Sequence, residues 1–387
     1  MRIGIIGTGV AGSVLAEMLA DAPGLAIEAF DRLQEDAAAE AGTGLNVGPN
    51  ALKALRLALP MRHAAVRAAS LPWRRWFIDA AWGERLFDLD LLDVAEEPGI
   101  RLRWSELYRA LRAPVAAFTR RGLALEALEE DPAGRLAPVL RDTEGALHRP
   151  GGFDLLVAGD GRYSRLRALT AGVPAPRFHG IALTRLLVPD AADCPYDDYG
   201  QWFNGRARLL SYRLPGGGAY IAGSVPLPAP EAEVPEAVKS AAHQAALYLP
   251  RDRVACPAVA WMVDRIRRQI ADLHWARLQD SPLLRGACDG RVLFLGDAAH
   301  AMVPTLGQGA TQAIEDGIVA GLVLRRGGGV TEIGALRDAR VEFVRAFSLE
   351  ASDTMLPGGD PVEGSRAKTG ADFLGKLRRL YTDIPGL

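Results

Sequence analysis

Along the chain, runs of apolar residues alternate with glycine-rich breaks, and the period within each run predicts the elements. Residues 2–6 are a short apolar run that predicts a buried strand. The sequence Gly7-Thr8-Gly9-Val10-Ala11-Gly12 follows, then a helical pattern through about Leu19 or Asp21. Leu25 to Phe30 predicts a second strand, ending at Asp31. Gly42-Thr43-Gly44-Leu45-Asn46-Val47-Gly48 reads as a glycine-rich loop before a helix over Ala51 to Leu59, with Asn50 able to cap it. Trp73, Trp76, Phe77, Trp82, Phe87 and Leu89 crowd residues 72–92, which predicts strands. These aromatics form a buried core or touch a ligand. Arg101 to Leu111 predicts a helix, and Leu123 to Leu147 short strands turning at Asp131-Pro132 and Glu144-Gly145.

Farther along, an apolar strand from Asp154 runs into Ala158-Gly159-Asp160-Gly161 and then a helix that Ser164 can cap. From about Arg177 to Trp261 the pattern turns strand-rich: Ile181 to Val188, Gln201 to Leu214 broken at Gly205, and Gly218 to Val225. A Pro/Glu-rich connector and a helix over Ala237 to Leu249 complete it, and such a block would supply a lid or floor for a substrate cavity. A last buried strand, Arg291 to Leu295, leads through Gly296-Asp297-Ala298-Ala299-His300 and Pro304-Thr305-Leu306-Gly307-Gln308-Gly309 into a helix reaching Leu324.

The first glycine turn carries a specific chemistry because of where it stands. Gly7 permits a tight turn, Gly9 removes a side chain that would block a pyrophosphate, and Gly12 lets the helix pack on the sheet. The helix N-terminus then offers free N–H groups to phosphate. Asp31, nineteen positions beyond Gly12, is placed to accept hydrogen bonds from a ribose. The same letters without a ligand would be an ordinary turn followed by a capping acid. Asp160 and Asp297 each end an apolar strand, where an open α/β sheet meets its ligands. His300 has no carboxylate close in sequence except Asp297, so local hydrogen bonding is the simpler reading than general-base work.

Charge and composition narrow the class. Lys and Arg total 45 against 47 Asp and Glu, a balance that gives no reason to expect a nucleic-acid partner. Cys194, Cys256 and Cys288 are too scattered for a disulfide framework or a zinc site. The N-terminus lacks a signal-peptide layout, and its apolar run is too short to span a membrane, so a soluble, cytoplasmic protein is expected.

In this order, the three glycine-acid stretches resemble the single-component aromatic-hydroxylase family of flavoprotein monooxygenases, which acts on hydroxybenzoate, salicylate and pyridine carboxylates. The resemblance runs over nearly the whole chain, with little motif information in the middle block. It implies an α/β fold: a Rossmann-like FAD-binding domain with an inserted strand-rich substrate domain and C-terminal helices. The FAD-binding parts would be residues 1–70, 99–176 and 285–328, the substrate-domain parts 71–98 and 177–284, and the C-terminal helical region 329–387. By resemblance, Gly7, Gly9, Gly12, Asp31 and Arg32 hold the ADP half of FAD, and Asp160 with Gly161 serves both FAD and the nicotinamide cofactor. Gly296 and Asp297 take the ribityl or phosphate region, and Leu306, Gly307, Gln308 and Gly309 run beside the isoalloxazine. Pro304 lies near the reactive ring face, and Asn46, Arg185 and Tyr212 are candidates on the substrate side. Arg185 and Tyr212 read equally well as structural strand residues.

The implied reaction uses NADH or NADPH as a transient reductant and dioxygen to hydroxylate a small aromatic or heteroaromatic substrate through a flavin C4a-hydroperoxide. The cofactor carries the hard chemistry; the protein aligns and excludes water. Ring opening after hydroxylation and a non-catalytic flavin-binding sensor are the rival readings, and a homodimer is left open. A halogenase is disfavoured because Trp73-Arg74-Arg75-Trp76-Phe77-Ile78 lacks that group's Trp-x-Trp-x-Ile-Pro pattern. The chain also departs from the family. It has Ala158-Gly159 where Gly-Ala is common, Trp104 where an arginine is common three residues before Leu107, and Asn46 where hydroxynicotinate-type relatives place a histidine.

Overall fold

In the computed structural model, which describes residues 1–34 and 43–387, the strand Arg2–Ile6 lies inside a six-stranded sheet. It runs parallel to Ala26–Asp31 on one side and to Leu155–Ala158 on the other. Val292–Phe294 and Thr119–Arg121 extend the parallel set, and Gly286–Ala287 closes one edge antiparallel. Both faces are covered, which explains near-continuous apolar strands instead of alternating ones. Ile3 and Ile5 pack with Val14, Leu15 and Ile318 under two helices, whereas Ile6, Phe30, Leu156 and Phe294 pack with Leu125 and Leu140 of a small antiparallel sheet. The helices Val10–Leu19 and Gln308–Arg325 approach closely because small residues meet there. A Cβ on Gly317 would stand 2.8 Å from Val14, and one on Gly321 2.5 Å from Met18.

The strand-rich block forms a seven-stranded sheet in the order His274–Asp280, Arg177–Val188, Ala219–Pro226, Ala207–Arg213, Tyr199–Asn204, Arg75–Ala80 and Arg85–Asp90. Successive side chains alternate between its faces. Leu186, Leu209 and Ile221 pack on the helices Ala241–Tyr248 and Pro257–Arg268, and Leu183, Leu210, Tyr212 and Tyr220 point the other way. Strands from residues 71–98 thus join those from 177–284 in one sheet, with Tyr199–Asn204 parallel to Arg75–Ala80. The helices Val330–Glu350, Pro361–Ala367 and Ala371–Thr382 make the C-terminal region helical, as expected. No helix among the described residues is long and apolar enough to cross a membrane.

Three local expectations are corrected. Gly44–Val47 is a strand, not loop, because it pairs antiparallel with Gly99–Arg103; Gly42 lies outside the described residues. That pairing also keeps Arg101 to Arg103 extended, so the helix starts at Trp104 and ends at Arg112. Asn50 sits inside the helix Pro49–Ala58 and caps nothing there: its Nδ2 donates to Glu315 Oε1 at 2.6 Å and Gln308 Oε1 at 3.0 Å. Each correction comes from a partner remote in sequence.

Candidate active site

A single crevice of about 700 Å³ runs from the end of the Ala26–Asp31 strand to the open face of the seven-stranded sheet. Its volume lies within the ordinary range for small-molecule sites. At one end the turn after Arg2–Ile6 is held by backbone crowding. Gly7 has φ +90°, and a Cβ there would stand 2.6 Å from the Asp160 backbone; one on Gly12 would stand 2.0 Å from the Gly7 carbonyl. Gly12 therefore closes the loop and does not line the crevice, whereas Gly7 and Gly9 do.

Asp31 is buried at the same end. Its Oδ2 accepts from Thr8 N at 2.8 Å and Thr8 Oγ1 at 2.7 Å, and its Oδ1 accepts from Leu33 N at 2.9 Å. The carboxylate thus braces the glycine loop with the same atoms that sequence reasoning gave to a ribose. Arg32 lines the crevice beside it. A residue missed in the sequence, Arg112, completes this corner. Its Nε donates to the Thr8 carbonyl at 2.7 Å, its Nη2 lies 3.3 Å from Asp31, and its Nη1 is buried without a partner. Burial pushes its guanidinium down, partly offset by Asp31. The signal was the missing arginine at Trp104: the helix carries another two turns on, stacked over Tyr108.

Midway, Asp160 and Gly161 line the wall. Asp160 Oδ2 accepts from Arg165 N at 2.8 Å and so braces the start of the helix Arg165–Ala171, which Ser164 caps through Arg167 N at 3.0 Å. Asp160 Oδ1 is buried without a partner, and burial pushes this carboxyl up. Opposite stands Asp297, whose side chain is open to the crevice, 38% accessible, with Arg162 Nε 3.9 Å away.

Two helices aim their N-termini into this crevice. Gly9, Val10 and Ala11 begin one; Gly307, Gly309 and Ala310 begin the other, with Gly307 left-handed at φ +66°. Neither has a side-chain cap or an acid in its first turn, so their free N–H groups favour anionic or carbonyl oxygens. Pro304 and Gly296 line the crevice as well, but Leu306 and Gln308 turn away. Leu306 packs in the apolar core, and Gln308 is buried against Asn50 and Gln312, which leaves only their backbone for a ligand.

His300 also faces away from the crevice. Its Nε2 is 2.7 Å from Asp316 Oδ2, and the same oxygen accepts from Gly296 N at 2.9 Å and Arg285 Nη1 at 3.0 Å. Asp316, not Asp297, is the partner of His300, and it pins the whole Gly296–His300 turn. Burial alone would raise the Asp316 carboxyl; Arg285, His300 and Arg337 overcome this and hold it well below the usual carboxylate range.

At the far end, Asn46, Arg185 and Tyr212 all line the crevice with Met302 and Pro304. Asn46 Nδ2 is buried without a partner, at 2.3 Å from where a Cβ on Gly307 would stand. Tyr212 stacks on Tyr199 at 5.7 Å and leans on Tyr220 at 5.2 Å. Burial pushes the Tyr199 phenol up to about 12 and Tyr212 and Tyr220 above their ordinary value, so all three are neutral donors near pH 7. Arg208 was missed in the sequence, although it stands four residues before Tyr212 on one strand and so on the same face.

The FAD binding domain family matches residues 269–325. The chain is 30% identical over 355 residues to salicylate hydroxylase of Pseudomonas putida, covering 82% of this chain and 75% of the relative. It is 29% identical over 382 residues to 3-amino-4-hydroxybenzoate 2-monooxygenase PtmB3 of Streptomyces platensis, covering 92% and 89%. The fold is similar to that of HpxO from Klebsiella pneumoniae solved with FAD and uric acid, at TM-score 0.80 and 22% identity, over 98% of this chain and 96% of that one.

Proposed function

This chain belongs to the family of FAD-dependent aromatic and heteroaromatic hydroxylases, the hydroxybenzoate- and salicylate-like monooxygenases, and from that premise we propose how its own residues divide the work. When bound, FAD would supply the redox chemistry of a monooxygenation in which a reduced nicotinamide gives two electrons, one atom of dioxygen enters the substrate ring and the other leaves as water. The residues present fit that group. Gly7 and Gly9 leave the backbone bare for the pyrophosphate, and the unpaired Nη1 of Arg112 adds a charged donor beside Thr8 and Asp31. Arg32, Asp160 and Gly161, which line the crevice, would flank the cofactor, Gly296 and Asp297 would take the ribityl hydroxyls, and the backbone N–H groups at Gly307 to Gly309 would serve the ring's polar edge. In this reading residues 1–70, 99–176 and 285–328 form the FAD-binding part, 71–98 and 177–284 the substrate part, and 329–387 the helical brace.

The substrate rests on the sheet floor, between Pro304 and Asn46 above and Arg185 and Tyr212 below. Asn46 Nδ2 offers a hydrogen bond, Tyr212 a neutral hydroxyl, and the apolar wall of Leu183, Leu210 and Met302 keeps water out. NADH or NADPH docks transiently as reductant, in the cytoplasm, and the relatives that act on 3-amino-4-hydroxybenzoate and salicylate point to a single small ring. The observation that carries this reading is the continuity of the crevice from the glycine loop to the sheet floor. The test is a screen of aromatic compounds for stimulated NAD(P)H oxidation, followed by product mass under labelled dioxygen. One label atom in an intact ring is the expected outcome. Label from water only overturns oxygen transfer, and a ring-opened product replaces simple hydroxylation by ring opening.

A further inference from the structure

A second cleft, of about 680 Å³, shares no lining residue with the crevice. It lies between the edge strand Gly286–Ala287, with the turn that follows, and the first turns of the helix Val330–Glu350. Small residues keep it open. Gly334 stands inside the helix, where alanine is the better helix former, and a Cβ there would come 3.1 Å from Asp338 Oδ2. That oxygen makes no hydrogen bond among the described residues, because Asp338 uses Oδ1 to accept from Arg285 Nε at 2.9 Å. Asp289, on the strand side, is exposed. It and Cys288 are the two non-glycine residues held at positive φ among the described residues, at 54° and 52°, and such strain persists only where the surroundings hold it. Arg285 lines the cleft while only 6% exposed, and its Nη2 is buried without a partner. The helix start beside it has no side-chain cap, and its first-turn acid, Glu332, is engaged by Arg326.

The polar groups of the cleft thus come in two sets of opposite sign. A guanidinium and the free N–H groups of a helix N-terminus favour an anionic oxygen, and two carboxylates favour a cationic donor. Among the described residues that line the space there is no aromatic or long apolar side chain, so a flat ring or a lipid chain would gain little there. We propose that this cleft binds a small zwitterion of the free amino-acid class, its carboxylate toward Arg285 and the helix start and its ammonium toward Asp289 and Asp338. The occupant acts as an effector. Arg285 Nη1 donates to Asp316 Oδ2 at 3.0 Å, and the same oxygen accepts from Gly296 N in the turn that carries Asp297. A carboxylate beside Arg285 fixes the guanidinium and with it that turn, which favours FAD. This coupling, unlike the binding itself, rests on Asp297 serving the cofactor, as set out above.

Calorimetric titration of the FAD-loaded protein tests the site. The probes are glycine, L-alanine and L-serine, set against L-alaninamide and propionate, which keep one charge each. At least one amino acid should bind about 5- to 150-fold more tightly than either control. Asp289→Asn combined with Asp338→Asn should remove that preference and leave propionate as it was, and Gly334→Leu should abolish amino-acid binding with FAD content kept. Silence of all three amino acids, equal binding of a control, or binding that survives Gly334→Leu overturns the site. Titrated into apoprotein with saturating amino acid, FAD should bind about 5-fold or more tightly than without it, and by reciprocity FAD should tighten the amino acid. An unchanged FAD affinity beside a cleft-bound amino acid overturns the effector role. If Asp297→Ala leaves FAD affinity unchanged while the amino acid still binds, the placement of the cofactor is sunk and the cleft site stands.

Discussion

Arg337 and Arg208 are both buried arginines, and they differ in what surrounds them. Arg337 donates from Nε to Asp316 at 2.9 Å, from Nη1 to Glu315 at 2.6 Å and from Nη2 to Gln312 at 2.7 Å. Burial would lower its guanidinium, but Glu315 and Asp316 lift it above its ordinary value. Arg208 receives no such help, and burial wins. The first arginine belongs to a closed network that locks the helix Gln308–Arg325 to Val330–Glu350 and, through Asp316, fixes the turn that carries Asp297. The second stands at an open end of the crevice. A satisfied buried charge ties the scaffold together, and an unsatisfied one keeps unused hydrogen-bonding capacity.

The sharpest break of this contrast is Arg337→Leu. It leaves Glu315 and Asp316 short of a buried partner, which should cost about 3–5 kcal/mol in denaturant unfolding. A cost under 1 kcal/mol would mean that the network is not the scaffold described. Acid is a second route to the same network. Burial would raise the Glu315 carboxyl, but Arg340 and Arg337 hold it at about 2. Its folded pKa is depressed, so its contribution is fully present above the ordinary carboxylate range and is lost as pH falls through that range toward 2. Urea midpoints should therefore be flat with respect to this group above pH 5 and fall below it, and a Glu315→Gln variant should lose that acid limb.

A smaller effect is expected at the crevice wall. In the proposed arrangement Asp297→Ala would remove an acceptor for a cofactor hydroxyl, and losing a buried hydrogen-bond partner costs about 1–3 kcal/mol, so FAD affinity should fall about 5- to 150-fold. His300→Ala should weaken FAD less, because the histidine works on the turn from behind, through Asp316. Fluorescence titration of FAD into both apo variants decides the order; equal losses would make the turn, not the Asp297 carboxylate, the determinant. Smallest of all, and opposite in sign to Arg337→Leu, is Arg208→Leu. Removing an unpaired buried charge should leave unfolding stability unchanged or raise it by about 1 kcal/mol. A loss of several kcal/mol would show that Arg208 has a structural partner after all and would erase the contrast.

The same physics explains which parts of the site were legible in the sequence. The loop at Gly7, Gly9 and Gly12 is a local object: adjacent residues set its turn, and the strand and helix on either side are set by their own periodicity. Asp160 and Asp297 were placed correctly just after strand ends, and Ser164 as the cap of the helix that follows, for the same reason. Misreadings fell where a distant segment decided. The Gly44–Val47 strand needs Gly99–Arg103 for its ladder, and Asn50 left its capping role for Gln308 and Glu315. Leu306 and Gln308 were assigned to the flavin by their motif, but the direction of each side chain was set by the core it had to fill.

By itself, then, the sequence determined the α/β order of elements, the glycine turn with its acid at the next strand end, and the family these stretches resemble, since all are carried by short-range spacing and backbone geometry. Tertiary structure decided which charges are paired. Asp316 reaches His300 because a helix turns it inward, Arg112 reaches Thr8 across a crevice corner, and the ionisable groups that bear on Arg208 are tyrosines because sheet register puts Ser224, not an acid, opposite it. A charge carries no label in the sequence for the partner it will meet. Burial raises the cost of each unmatched charge, so the pairing exists only once strands and helices have brought remote residues together.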